Sequence, residues 1–277
     1  MERRSIFDII STRQLDTHEE FYRLHTLFSI EQPINYNSLE VFINKYVFRY
    51  IPLSDTFLDV KDIRKYLKIE ITDCNYSLND LLLFCELLIN IFNQGESIIK
   101  KVDSAYNQVK IIKRNIELIL SKTGHELRKI NNNQWIIAEI NTQAFLAAEM
   151  VDNETAALNI IEYNHFQIKG DIEKKRSILL AIANLIEPIL KDKILGNNGF
   201  KQLESDASFL INCFHIRHNN LDGPKQQEYL IGLDEKQLED WYDKTYELLL
   251  LVIITNNYIK NIKAKIEDVK AKYRWVN

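Results

Sequence analysis

The chain contains little glycine, proline or cysteine, and each scarcity excludes a class of structure. Only 7 glycines and 4 prolines occur among 277 residues, so long intervals are free of the residues that interrupt helices. Because 46% of the residues are hydrophobic, the chain can build a large core and a disordered chain is excluded. These features predict an all-α protein built as a helical bundle.

The three cysteines, Cys74, Cys85 and Cys213, are odd in number and widely spaced. A disulfide framework or a zinc site needs more cysteines at closer spacing, so neither is expected. The largely apolar surroundings of these cysteines predict reduced thiols in the core, which favours a cytoplasmic location. No metal ion or other cofactor is predicted.

The sequence also lacks a strong charge bias and a long hydrophobic run. The formal net charge is -4 and the pI is near 5.9, so binding to RNA would require a local basic patch. The most apolar runs, 178–190 and 248–254, are shorter than the roughly 20 residues of a membrane span. The N-terminal residues have no secretory signal. We therefore expect a protein that is not exported and does not contact a membrane.

Helix-start signals and apolar periodicity predict several helices. Ser77 with Asp80, and Asp234 with Gln237, have the spacing of capping boxes. Over 98–120 apolar residues recur every three or four positions, which predicts a long amphipathic helix.

Two later helices carry features of their own. Asp171 is a candidate N-cap for a helix that extends to Ile194, and Pro188 is predicted to kink that helix. The final helix, which Asp234 opens, is apolar on all sides over 248–254. Such a helix lies at the centre of a bundle or at a contact between subunits. The sequence therefore also indicates a homodimer.

Strand signals are confined to one region. Two short β-compatible runs flank the asparagines at 131–133 and predict a β-hairpin. We divide the sequence into 1–119, a helical region without an assigned role, and 120–277, which combines the hairpin with a helical bundle. No internal repeat or flexible linker is visible.

A polar cluster at 214–222 has the composition of a functional site. An apolar helical run ends there, which would give reactive side chains a rigid support and access to solvent. Arg217 offers a permanently charged fork for phosphate. His215 and His218 can exchange protons near neutral pH.

The remaining polar residues of the cluster can orient the two histidines. Asn219 and Asn220 can orient either imidazole, and Asp222 can hold a histidine in one tautomer. Arg217 can stabilise an anionic transition state. Together, the polar residues of the cluster suit attack by a ribose 2'-hydroxyl on the neighbouring phosphate. The residues therefore predict RNA cleavage that requires no metal.

A structural interpretation of the same cluster stays open. His215 and His218 are three residues apart and would interact favourably with a helix C-terminus, while Arg217 pairs with Asp222 or with a carbonyl. The two histidines could also ligate a metal, but His-x-x-His without nearby Cys or Glu is a weak signal for a metal site.

The cluster resembles the motif of HEPN domains from prokaryotic defence and toxin systems. In those domains an Arg, a polar residue and a spacer that ends in His stand at a helix junction, late in an all-helical chain. Arg217 matches the Arg, His218 falls at the polar position, and Asp222 falls where the shortest spacing puts the His. The helix pattern extends the resemblance over 120–277.

The resemblance implies an abortive-infection or toxin-type protein that targets RNA, acts as a homodimer and cleaves without a metal. The implied catalytic residues are Arg217 for phosphate binding, His218 for proton transfer, and Asn219 and Asp222 for orientation, with His215 and Asn220 as candidate substrate contacts.

Asp222 departs from the HEPN pattern, because a carboxylate repels phosphate and does not serve as the usual acid. The alternative function is therefore a non-catalytic interaction or dimerisation module, which keeps the helical surface and binds a partner protein.

Further segments are weaker candidates. Arg13 and His18 repeat the spacing of the Arg and His, but near the N-terminus and outside the late bundle. The basic residues at 169–176 and 260–272 could meet RNA phosphates, although a solvated helix face is expected. Residues 163–165 combine tyrosine, asparagine and histidine, and an ordinary helix end is expected there.

Overall fold

The computed structural model describes residues 15–30, 38–70, 75–131 and 134–273. Within these ranges the chain is all-α apart from one two-stranded antiparallel sheet. The predicted fold class, a helical bundle with one small β-hairpin, is confirmed. No helix in the described ranges has both the length and the hydropathy to cross a bilayer.

We number the helices and strands of the described residues in chain order. The helices are α1 (Thr17–Ser29), α2 (Leu39–Phe42), α3 (Val60–Tyr66), α4 (Leu78–Gln94), α5 (Glu96–Ile99), α6 (Asp103–Thr123), α7 (Thr142–Glu149), α8 (Glu154–Glu162), α9 (Ile172–Lys191), α10 (Lys201–Cys213), α11 (Glu228–Ile231), α12 (Glu235–Asn257) and α13 (Ala264–Lys272). The strands are β1 (His125–Asn131) and β2 (Gln134–Glu139), and π-helical turns occupy Ile43–Val47 and Tyr258–Lys263.

The chain divides into two compact units, Met1–Glu139 and Ile140–Asn277. The hairpin belongs to the first unit, where β1 packs on α6 and β2 packs on α4. The division made from the sequence placed the hairpin with the second half, from residue 120 onward. The compact division instead begins the second unit directly after β2.

Side chains of α4 hold the hairpin in the first unit. Asn90 donates from Nδ2 to the carbonyl of Trp135 at 2.8 Å and accepts at Oδ1 from the N–H of Trp135 at 2.9 Å. Glu86 Oε2 accepts from the N–H of Ile137 at 2.7 Å. These bonds satisfy backbone groups on the outer edge of β2, which pairing with β1 leaves open. The hairpin is therefore part of the core of the first unit.

The predicted capping box at the start of α4 is confirmed. Ser77 Oγ accepts from the N–H of Asp80 at 3.2 Å, and the Asp80 carboxylate accepts from the N–H of Ser77 at 2.8 Å. Along the buried side of this helix, the Phe84 ring packs at 5.0 Å from the Phe21 ring of α1. Such aromatic contacts, with the aliphatic side chains around them, provide most of the driving force for folding this unit.

The caps predicted for the second unit also form. Asp171 accepts from the N–H of Lys174 at 2.9 Å at the start of α9. At the start of α12, Asp234 accepts from the N–H of Gln237 at 2.8 Å, and Gln237 Oε1 accepts in return at 2.9 Å. α9 continues through Pro188, which removes one backbone donor from the last turns of the helix.

α12 lies at the centre of the second unit, packed on α7, α9 and α10. Leu249, Leu250 and Ile253 are buried, whereas Leu251 is 47% exposed. Its fully apolar middle is therefore explained largely by burial inside one chain, and one apolar side chain of that stretch faces outward.

The described cysteines agree with the expectation of reduced thiols. Cys85 and Cys213 are both free, and Cys85 is buried. Burial raises the pKa of the Cys85 thiol well above its usual range, which makes it unreactive. Cys74 lies outside the described residues.

Candidate functional site

The polar cluster forms a loop that begins where α10 ends at Cys213. His215 has a φ of 57°, in the left-handed region that non-glycine residues seldom adopt. The N–H of Arg217 then donates to the carbonyl of Ile211 at 3.1 Å. The chain thus turns sharply after the helix and lies back against its last turn.

Asn220 anchors this loop. Its side chain is buried, and its Oδ1 accepts from the N–H of His215 at 3.0 Å. Its Nδ2 donates to the carbonyl of Lys225 at 3.0 Å, and its own carbonyl accepts from the N–H of Gln227 at 2.8 Å. Because both ends of the amide are engaged, Asn220 folds the loop instead of facing a substrate.

His215 is held as a neutral imidazole. The N–H of Asn220 donates to His215 Nδ1 at 3.3 Å, so the proton of the neutral ring lies on Nε2. Burial and then the positive charge of Arg176 lower the pKa of His215. A histidine with these partners is a support of the loop and a poor proton acceptor.

Within the cluster, the side chains of Arg217 and His218 make the fewest hydrogen bonds and ion pairs to the described residues. Arg217 Nη1 lies 3.7 Å from Glu187 Oε1, a long contact with a carboxylate that is 54% exposed. Arg217 Nη2 is buried without a hydrogen-bond partner among the described residues. His218 is half-buried, and its imidazole makes no hydrogen bond or ion pair to the part of the chain that the structure describes.

Asn219 and Asp222 bond to each other. Asn219 Nδ2 donates to Asp222 Oδ1, and Asn219 Oδ1 accepts from the N–H of Leu221 at 3.3 Å. Both side chains are exposed. The predicted orienting pair is therefore brought together, but the residue that Asn219 orients is Asp222 and not a histidine.

Arg176 of α9 is a further part of the site, and the sequence indicated it only as one of several basic residues. Its Nε donates to the carbonyl of His215, and its terminal nitrogens have no partner among the described residues. Its neighbours point elsewhere, since Lys174 pairs with Glu162 at 2.8 Å. Among the described contacts of the basic segment 169–176, the bond from Arg176 is thus the one that meets the loop.

Lys175 of the same basic segment lies inside the second unit. It contacts Glu239 at 2.7 Å and Asp243 at 2.5 Å. The Tyr163 hydroxyl donates to the same Asp243 oxygen at 2.8 Å. Tyr163 and Lys175 are therefore members of one polar network, which shares the half-exposed carboxylate of Asp243.

The N-terminal candidate pair, Arg13 and His18, belongs to the first unit. His18 of α1 stacks on Tyr76 with ring centroids 5.5 Å apart, and both belong to the first unit. Arg13, which would complete that pair, lies outside the described residues.

An apolar groove of about 490 Å³ begins directly beside the loop. The Phe214 ring lines it, with its centroid 4.7 Å from that of Trp241 and 5.4 Å from that of Tyr229. Phe209 contributes a side chain that is 52% exposed. Tyr229 also donates its hydroxyl to the carbonyl of Cys213 at 2.9 Å. Phe214 and Tyr229 therefore connect the groove to the end of α10, where the loop begins.

Among the residues that the structure describes, no group of three or more His, Cys, Asp or Glu side chains is arranged to hold a metal ion. Comparison with known proteins yields no matching family model, no matching curated protein and no matching solved structure.

Proposed function

We propose that this chain is an RNA-targeting protein of the HEPN-like defence type, a cytoplasmic ribonuclease that needs no metal. One observation carries the proposal. Of the cluster at 214–222, Arg217 and His218 are adjacent, Arg217 Nη1 makes only a long 3.7 Å contact with Glu187, and the His218 imidazole has no hydrogen bond or ion pair with the described residues. The anchor Asn220 holds the backbone on which both stand.

In the proposed reaction His218 removes the proton of a ribose 2'-hydroxyl, which attacks the adjacent phosphorus. A bond forms between the 2'-oxygen and phosphorus, and the bond from phosphorus to the 5'-oxygen breaks. Arg217 stabilises the anionic phosphorane through its planar fork. The proton held by His218 is then delivered to the departing 5'-oxygen, so a single imidazole serves as base and acid.

Asp222 takes no proton in this mechanism. Its carboxylate is bonded to Asn219 and is exposed to solvent. Its negative charge opposes phosphate binding. The proposal therefore gives the departure from the HEPN pattern a specific consequence, namely that proton transfer falls to His218.

The experiment that tests this function is cleavage of structured and single-stranded RNA in the presence of a chelator. We expect cleavage by the native chain and its loss in both variants. Arg217→Ala removes the group that stabilises the phosphorane, and His218→Ala removes the group that transfers the proton. His165→Ala, which alters a half-buried histidine of the same unit outside the loop, is the matched control and should cleave normally. Absence of cleavage by the folded native chain, or normal cleavage by both loop variants, contradicts the proposal.

The apolar groove beside the loop favours a second candidate function, a dimerisation module. Asp206 and Lys244 both line the groove, so the same apolar surface carries one acidic and one basic side chain that a second copy can oppose. A self-complementary patch of this kind is what a two-fold interface requires.

Sedimentation of the native chain and of Phe209→Asp tests this second candidate. Phe209 is 52% exposed, so a charge at this position should leave the fold intact and separate the copies. Val269→Asp, at a side chain that is 64% exposed on α13, should sediment like the native chain. A native chain that stays monomeric at high micromolar concentration excludes the module as a homodimer.

A further inference from the structure

The last helix of the described chain carries an apolar stripe that the described residues leave exposed. α13 continues directly from the π-helical turn Tyr258–Lys263, and every side chain described along α13 is exposed to solvent. Apolar residues nevertheless recur at intervals of four, three and four positions, from the turn to the residue that follows the helix: Ile262, Ile266, Val269 and Tyr273. Residues three and four apart share one face of a helix, so these side chains form a single apolar stripe.

The spacing of the stripe begins earlier in the chain, inside the core. Val252 and Thr255 of α12 are buried, and Ile259 packs against the core of the second unit. From Ile262 onward the side chains at this spacing are between 40% and 64% exposed. An alternation of three and four is the heptad of a coiled coil, in which the a and d residues face another helix. The heptad pattern therefore continues beyond the point where the unit's own core covers it.

The residue types of the stripe favour a partner helix over a membrane surface. Its aliphatic members, Ile262, Ile266 and Val269, are all β-branched. Stiff β-branched side chains at heptad positions suit the knobs-into-holes packing of paired helices. Helices that lie in a membrane interface instead rely on tryptophan, phenylalanine and leucine on their apolar face. The stripe is therefore best explained as one side of a contact between two helices.

Lysines occupy the positions on both sides of the stripe. With Ile266 at position a and Val269 at position d, the e and g positions nearest to them hold four lysines: Lys263, Lys265, Lys270 and Lys272. Lys265 and Lys270 have no ion pair with the described residues. The stripe is therefore flanked by positive charge that local acidic side chains compensate only in part.

This charge pattern opposes pairing of α13 with a second copy of itself. In a two-stranded coiled coil the e and g residues of one helix face those of the other, so two copies would set lysine against lysine in either orientation. Glu267 and Asp268 fall at positions b and c, which point away from the contact. A helix with acidic residues at e and g would meet opposite charge instead.

We propose that α13 is a docking helix for an acidic amphipathic helix of a partner protein. Apolar residues of the partner, at heptad spacing, pack on Ile262, Ile266 and Val269, and its glutamates or aspartates pair with the flanking lysines. The stripe from Ile262 to Tyr273 spans about 17 Å of helix. A contact this short gives reversible binding, with a Kd on the order of 10–100 µM. The proposed RNA chemistry plays no part in this contact.

Fluorescence anisotropy with labelled synthetic helices tests this inference on the full chain. One peptide has about three heptads with isoleucine at a, leucine at d and glutamate at e and g. A second peptide carries lysine at e and g and is otherwise identical. We expect the acidic peptide to bind and the basic peptide to bind roughly tenfold more weakly. Absence of binding of the acidic peptide at about 1 mM, or equal binding of both peptides, overturns the inference.

Charge reversal separates this contact from non-specific attraction. Lys265→Glu combined with Lys270→Glu should weaken the acidic peptide roughly tenfold and strengthen the basic peptide. Lys201→Glu combined with Lys236→Glu changes two exposed lysines outside α13 and alters the net charge equally, so it is the matched control. An equal loss of acidic-peptide binding in the two double variants contradicts docking at the stripe.

Ile266→Asp tests the apolar part of the contact. Because the Ile266 side chain is exposed, the variant should keep the native circular dichroism spectrum and thermal unfolding while it loses the acidic peptide. Vesicles of phosphatidylcholine and phosphatidylserine provide the competing surface. Binding of the native chain to these vesicles without binding to the acidic peptide overturns the inference. Self-association of the native chain that Ile266→Asp abolishes would also overturn it, because a second copy would then cover the stripe.

Discussion

Asn220 and His215 bond each other reciprocally across the turn that follows α10. Asn220 Oδ1 accepts from the N–H of His215 at 3.0 Å, and the N–H of Asn220 donates to His215 Nδ1 at 3.3 Å. The pair holds His215 at its left-handed φ of 57°, a conformation that costs an L-residue roughly 1–2 kcal/mol. The position of Arg217 and His218 therefore depends on a contact in which neither takes part.

Replacement of Asn220 should destabilise the second unit. Asn220→Ala leaves the N–H of His215 without its partner and removes one of the two donors to the carbonyl of Lys225, which should lower the free energy of unfolding by about 1–3 kcal/mol. Asn219→Ala, which removes an exposed amide one position earlier, should change it by less than about 0.5 kcal/mol. Urea unfolding of both variants measures the difference, and equal effects would contradict the anchoring role.

Lys175 and Lys174 are neighbouring lysines of α9 that differ in burial, so they allow a matched test of the polar network around Lys175. The Lys175 side chain is 6% exposed between Glu239 and Asp243, whereas the Lys174 side chain is 44% exposed beside Glu162. Lys175→Met should destabilise the fold by about 3 kcal/mol, because it leaves partly buried carboxylates without their cation. Lys174→Met should cost less than about 1 kcal/mol. Thermal and urea unfolding distinguish these outcomes, and a larger loss for Lys174→Met would contradict the network.

The lowered pKa of His25 in α1 predicts that the folded chain loses stability in mild acid. Burial and the charge of Arg64 lower the pKa of His25 from 6.5 to about 4. As the pH falls below 6.5, the unfolded chain takes up this proton before the folded chain does, so the free energy of unfolding decreases until about pH 4. Urea unfolding between pH 7 and pH 4 should show the decrease, and His25→Gln should show a smaller one. An identical pH dependence in the variant would contradict the assignment.

Glu187 restrains Arg217 only weakly. The two groups are 3.7 Å apart and the carboxylate is largely solvated, so the pair is worth about 0.2–1 kcal/mol. Glu187→Gln should therefore raise the affinity for RNA by roughly two- to fivefold at low salt. Glu247→Gln, which removes an exposed charge of α12, is the control. Filter binding measures both, and weaker RNA binding by Glu187→Gln would contradict the proposed phosphate contact of Arg217.

Helix caps were predictable from the sequence because their partners are three residues apart. Ser77 with Asp80 and Asp234 with Gln237 form the expected boxes, and no tertiary contact is needed for either. The hairpin was predictable for the same reason. Local chemistry thus accounts for the element starts and for the fold class.

The domain boundary was not predictable, because it depends on contacts distant in sequence. Asn90 binds Trp135, which lies 45 positions further along the chain, and an isolated asparagine in an apolar helix gives no signal of that partner. The role of Asn220 was equally hidden, since an amide next to two histidines suits catalysis as well as loop closure. Only the folded loop shows that its bonds go to the backbone of His215 and Lys225.

The small number of side-chain contacts made by Arg217 and His218 is likewise a property of the fold and not of the motif. The sequence left open whether both would be used in internal bonds. Arg176 illustrates the same limit, because its contact with the carbonyl of His215 joins two segments that lie 39 positions apart. Residue types identified the candidate site, and tertiary contacts decided which members can still bind.

Identification of the RNA ends produced under chelating conditions tests the central claim most directly. Attack by the 2'-hydroxyl predicts a 2',3'-cyclic phosphate and a 5'-hydroxyl from the native chain, with neither end produced by His218→Ala. A 3'-hydroxyl with a 5'-phosphate, or cyclic phosphate produced at an unchanged rate by His218→Ala, would contradict proton transfer by His218.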